Sequence, residues 1–352
     1  MSFTGLSYPI LIGSFPGRDH EEALSLILKY TPEIPCWPQL PDLPEEGMLV
    51  QFSRGLPGFD ARNLIIDPER PDFEEEQLKF YEEYLKIKEG KKTLSESFFA
   101  IKKEEAPGLF LLDQKIATLP SRPYALKGQI TGPFTLATGL KTPDGRAPFY
   151  DESLRDLITK LVALKAAFQV HFFKKHGLPV IIFLDEPALA GFGSSSFVGV
   201  SREEVIAVLQ EVATEIEAAG GIPGAHVCAN TEWDLLIESG LKILNFDAFD
   251  YLDRFLLYEK DISSFLSSGG NVAWGIVPTL KMEALKETTA EELIGRLNQA
   301  FERLSKFNLS RKKILRQSLL TPSCGMGTLK EELVLKALSL LRQITESFRK
   351  DF

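Results

Sequence analysis

His226 and Cys228 stand one residue apart at the end of an apolar run, Ile222–Val227, and a second thiol, Cys324, follows another run after Thr321-Pro322-Ser323. If both runs are strands, side-chain alternation turns His226 and Cys228 to one face, where they can grip a single ion. Asp247 ends a third run, 242–246, and brings a carboxylate to the same rim. An imidazole, two thiolates and a carboxylate suit tetrahedral zinc better than magnesium, calcium or copper, and zinc so held activates a bound thiol. The competing reading makes a neighbouring His and Cys ordinary core residues; the second cysteine at another strand end weighs against it. Cys36 lies in a proline-rich stretch with no histidine or acid at ligand spacing and reads as structural. His20, His171 and His176 fall in or beside helical sequence and read as surface groups.

Asp185 and Glu186 are adjacent carboxylates closing the apolar run 178–184. One should face the reactive end of the sheet while the other turns aside to bond backbone or a neighbouring helix. An acid leaving so apolar a strand is costly unless it binds something. A substrate ammonium is a natural partner; the plainer alternative is a carboxylate that caps the next loop.

These groups need a frame that gathers strand ends. Short apolar runs alternate with longer amphipathic ones, the pattern of βα units. Strands are expected at 9–15, 48–52, 125–131, 178–184, 222–227, 242–246, 271–277 and 318–321, with helices near 21–29, 73–88, 151–176 and 330–348. Ser201-Arg202-Glu203-Glu204 reads as a capping box opening another helix. A helical insertion at 95–117 precedes the third strand, and 32–44, with five prolines, reads as a rigid loop over one end. Eight such units predict a single α/β domain over 1–352, a (β/α)₈ TIM barrel; a doubly wound open sheet is the alternative, because periodicity does not report closure. In a barrel, reactive groups come from the C-terminal strand ends. Those ends here carry Gly13-Ser14, Thr131-Gly132-Pro133, Asp185-Glu186-Pro187, His226-Val227-Cys228, Asp247 and Cys324-Gly325.

Composition narrows the classes. The 352 residues are 44% hydrophobic and 25% charged with a net charge of −9, which argues against nucleic-acid and anionic-membrane partners. Three cysteines far apart make no disulfide framework. No run of about twenty apolar residues and no basic-then-apolar leader are present, so a cytoplasmic location is expected. Neither a Walker A nor a GxGxxG phosphate loop occurs.

Together these motifs resemble the catalytic, C-terminal barrel of cobalamin-independent methionine synthase, within the superfamily that includes uroporphyrinogen decarboxylase. Ile12-Gly13-Ser14-Phe15-Pro16 is similar to the family's opening substrate loop, and Thr131-Gly132-Pro133 and Asp185-Glu186-Pro187-Ala188-Leu189 to its third- and fourth-strand motifs. His226-x-Cys228 and Pro322-Ser323-Cys324-Gly325 resemble its zinc-ligand motifs, which the decarboxylases lack. The resemblance implies zinc on His226, Cys228 and Cys324, with Asp247, or less favoured Asp250, in place of the family's glutamate ligand. It implies an acceptor such as homocysteine, its amino group on Asp185, its carboxylate on Ser14, with Gly13 and Thr131 lining the same site.

Three departures bear on the reaction. The family's second, N-terminal barrel, which helps hold a polyglutamated folate, has no counterpart here. The acid expected at the second strand end is replaced by Gln51 and Ser53, and the histidine that serves proton transfer beyond strand seven is missing from Trp274–Leu280. A methyl on a folate nitrogen needs that nitrogen protonated, whereas a methyl on corrinoid cobalt does not. The departures therefore favour a methyl-corrinoid, free or on a carrier protein, over methyltetrahydrofolate. The rival classes are a uroporphyrinogen-decarboxylase-like enzyme, counted against by the acidic strand ends, and a zinc-containing binding barrel without turnover.

Overall fold

The computed structural model describes residues 3–352. Seven strands form one wholly parallel sheet: β1 (Tyr8–Pro9), β2 (Leu126–Thr131), β3 (Val180–Asp185), β4 (Ile222–Val227), β5 (Ile243–Phe246), β6 (Asn271–Val277) and β7 (Ser318–Pro322). Their spatial order is β1-β7-β6-β5-β4-β3-β2, so each strand from β2 onward lies beside its successor and only β1 crosses to the far end. Helices fill the connections, the longest being Glu152–Lys174, Glu331–Arg349 and Arg202–Ala218, the last opened by the Ser201/Glu204 capping box. β2 and β3 are buried along their whole length, as expected of strands covered on both faces.

Three expectations change, the first being that the strand expected at 9–15 is confined to Tyr8–Pro9. The run 48–52 is not a strand: Met48–Gln51 is a helical turn after a 3₁₀ turn at Pro44–Glu46. Four apolar residues carry no readable period, and Pro44 and Gly47 set the entry geometry instead. The proline-rich stretch is more than a loop. Cys36 bridges Lys127 and Gln39 bridges Ser14, both in parallel sense. The Lys127 amide donates to the Pro35 carbonyl, the Phe15 amide to the Gln39 carbonyl and the Gln39 amide to the Gly13 carbonyl. Residues 33–39 thus bond to the edge strand β2 and to the chain continuing from β1. Pro35 and Pro38 remove two amides from this stretch, which keeps its ladder broken.

The two faces of the sheet are packed differently. The large core lies between sheet and helices, while Ile10, Ile34, Ala125, Ile181, Phe183, Ile243, Ala273 and Leu319 form a second, separate apolar cluster. Ile181, Phe183 and Asp185 share parity, as do Ala125, Lys127, Gln129 and Thr131. That second face is therefore apolar at one end and polar at the C-terminal strand ends.

Candidate metal centre

Strand register assembles the polar end. Thr131 pairs with Asp185, Asp185 with His226, His226 with Asn245 and Asn245 with Ala273, one rung running across five strands. One donor atom each from His226, Cys228 and Cys324 lies within 4.8 Å of the others, a group able to hold a metal ion.

The imidazole is prepared for that role. Asn245 donates its amide hydrogens to the Ala273 carbonyl (2.7 Å) and Thr321 Oγ1 (2.8 Å), which leaves its Oδ1 to face His226 Nδ1 at 2.5 Å. Nδ1 must then donate, so Nε2 carries the lone pair, and among the described residues this buried atom has no hydrogen-bond partner. Burial pushes the His226 pKa down to about 4, against the pull of the Asn245 bond, and keeps the ring neutral. The bond between the two thiols holds Cys228 below the usual thiol range and raises Cys324 above it. A neutral imidazole with an orphaned lone pair beside two thiols is a donor set that fits a soft divalent metal.

The expected fourth ligand stands apart. Asp247 is the N-cap of helix Ala248–Phe255, its Oδ1 accepting the Asp250 amide at 3.0 Å, and it lies outside the three-residue group. Burial lifts its carboxyl to about 6. Asp250 is paired with Lys281 at 2.6 Å. Helix capping favours a short side chain with an acceptor oxygen at this position, and the capping bond competes with coordination.

Asp185 and Glu186 divide as their adjacency implies. Glu186 accepts from the Phe134 amide (3.0 Å), the Thr135 amide (2.7 Å) and the Thr135 hydroxyl (2.6 Å), capping helix Pro133–Gly139. Asp185 keeps a buried Oδ1 on the same face as His226 that has no partner among the described residues, and burial lifts its carboxyl to about 7 against the attraction of Lys127. Ser14 lies at the rim: a Cβ added at Gly325 would come 1.9 Å from its Oγ, so the hydroxyl sits directly over the residue that follows Cys324. Gly13 adopts φ +134°, and a side chain there would strike Gln129. Thr131 spends its hydroxyl on the Met48 carbonyl at 2.7 Å. Gln51 is equally committed, accepting from Gln39 and donating to the Glu105 carbonyl. Cys36 is fully buried beside Lys127, its thiol raised to about 11 by burial, and does not belong to the group.

Three residues escaped the sequence reading. Asn245 and Thr279 look like ordinary polar residues in a chain. Lys127 had a signal: a charged residue two positions before Gln129 and four before Thr131 in a buried strand must share their face. It is fully buried, bonded to the Ile12 carbonyl and Gln129, with its ammonium 5.0 Å from the Phe183 ring centre.

No family model matches the chain and no curated protein matches it. Among solved structures, an A. niger ochratoxinase aligns over 54% of this chain and 41% of its own at 14% identity with a TM-score of 0.28, too slight a likeness to bear on fold or chemistry. Among the described residues no helix is long and apolar enough to cross a membrane.

Proposed function

We propose that this chain is a zinc-dependent methyltransferase that moves a methyl group onto a thiol acceptor, homocysteine or a similar aminothiol. The observation that carries the reading is the His226–Cys228–Cys324 group with its unpartnered Nε2. We read the sheet as a closed barrel of eight staves, the eighth being 33–39, because both of its neighbours bond to that segment. Zinc, when bound, lowers the pKa of a coordinated thiol so that thiolate exists near neutral pH.

The chain's own residues do the rest. Asn245 holds the imidazole in the tautomer that leaves Nε2 free. Asp185, with an open carboxylate oxygen on the same face, takes the acceptor's ammonium, and Ser14 takes its carboxylate. Positioning of thiolate and methyl is then the main source of rate. The thiol loses its proton to solvent, the sulfur–methyl bond forms, and the methyl–donor bond breaks with its electron pair remaining on the donor. A corrinoid leaves as reduced cobalt and needs no proton. Thr279, in the loop beyond β6, is bonded to the Cys324 backbone and supplies no acid.

Metal analysis of the purified protein, followed by homocysteine methylation with methylcobalamin and with methyltetrahydrofolate, tests this reading. One zinc per chain and turnover from methylcobalamin, abolished by Cys324→Ser, are expected. Turnover with the folate alone overturns the donor assignment. Zinc without turnover from either donor or with any of several thiols leaves a binding barrel, and absence of metal overturns the whole reading.

A further inference from the structure

Cys228 and Cys324 are not held alike. Thr279, two residues beyond β6, places its Oγ1 3.0 Å from both the amide nitrogen and the carbonyl oxygen of Cys324, accepting from one and donating to the other. Its own amide donates to Ser323 Oγ at 3.0 Å, and the Ser323 amide donates to the Val277 carbonyl at 2.8 Å. Thr279 and Ser323 are both buried. The frame sits where the β6–β7 register slips between Gly275 and Val277, so the regular ladder no longer sets the backbone at 323–324. Among the described residues no side chain bonds the Cys228 backbone in this way.

We infer that Thr279 is the positioning residue for Cys324, its hydroxyl replacing the lost ladder and fixing the direction from which that thiol reaches the metal. The inference rests on the metal-site reading above. A hydroxyl that both donates and accepts is required, so threonine and serine serve while valine, of the same shape, does not.

The test is zinc affinity by competition with a chromophoric chelator, together with the thiolate-to-cobalt absorption of the Co(II)-loaded protein. Thr279→Val is expected to weaken zinc about 10- to 100-fold and to diminish the cobalt band, with Thr279→Ser restoring both. Thr279→Ala repeats the measurement should the valine variant fold poorly, and far-ultraviolet circular dichroism checks the fold of each. In a Cys324→Ser background the valine change should cost nothing further. Wild-type affinity in both Thr279→Val and Thr279→Ala, or an equal further loss without the Cys324 thiol, overturns the inference. Failure of the unmodified protein to take up zinc or cobalt overturns the metal reading and this inference with it.

Discussion

At the scale of single residues the site depends on what is left unbonded. Asn245 is spent in three directions, and its contact with Nδ1 is what leaves Nε2 open. Asn245→Leu therefore should weaken metal binding about 10- to 100-fold and, by stranding the Nδ1 hydrogen, destabilise the protein by about 1–3 kcal/mol. Chelator competition and a denaturant melt read the two effects separately. Asp185 has the opposite character, since burial raises its carboxyl to about 7 from 3.8. A folded pKa above the unfolded one gives stability that is fully present below the unfolded value and lost as pH rises through the folded one. Metal-free protein should thus lose the Asp185 contribution between about pH 4 and pH 7, each unit of difference being worth about 1.4 kcal/mol. His226 works in the other sense, losing its contribution as pH falls from 6.5 toward 4. Melting curves of metal-free Asp185→Asn and wild type should agree near pH 4 and separate by pH 8, the variant being the more stable. A constant gap across that range would contradict the raised carboxyl.

Among elements, short helices carry the connections between strand ends and site. Glu186 satisfies two amides and a hydroxyl at the start of Pro133–Gly139, all buried. Glu186→Ala leaves those donors unpaired and should cost about 2–4 kcal/mol, measured by urea unfolding. Gly132 is tied to the same arrangement, because a side chain there would strike the Glu186 carboxylate. The turn Met48–Gln51 hangs on Thr131, whose hydroxyl holds the Met48 carbonyl. Thr131→Val should cost about 1 kcal/mol and speed hydrogen exchange of the Val50, Gln51 and Ser53 amides while leaving β3 unchanged. The same reasoning says how legible the elements were. β3 was plain because an unbroken apolar run ending in acid has few other readings, and β4 because its short run ends in His-x-Cys. The 48–52 run was misread because so short an apolar stretch does not distinguish strand from helix, and the bridges from 33–39 to Lys127 and Ser14 were not legible because its prolines break any strand pattern.

For the whole molecule, closure of the sheet turns on the 33–39 segment. If it is the eighth stave, the amides of Lys127, Phe15 and Gln39, which donate to Pro35, Gln39 and Gly13, should exchange as slowly as those inside β3. Rapid exchange at all three would mark an open sheet edge. The polar interior has the same long-range origin. Lys127 and Asp185 come from different strands, and their opposite charges act on one another across the sheet face beneath His226.

The chain alone determined its alternating α/β character, most strand positions, and His226, Cys228 and Cys324 as the candidate metal donors. These follow from local facts: side-chain period, apolar run length and residue type. It also established that Asp185 and Glu186 must part, since neighbours on a strand face opposite ways. Tertiary structure decided the rest. Register across five strands brought Asn245 against His226, a slipped ladder made Thr279 the holder of Cys324, and a helix start claimed Asp247 as its cap. Each of those outcomes depends on which polar group lies within about 3 Å of a side chain. That distance is set by strand pairing and helix entry between residues far apart in sequence, where composition and spacing carry no information.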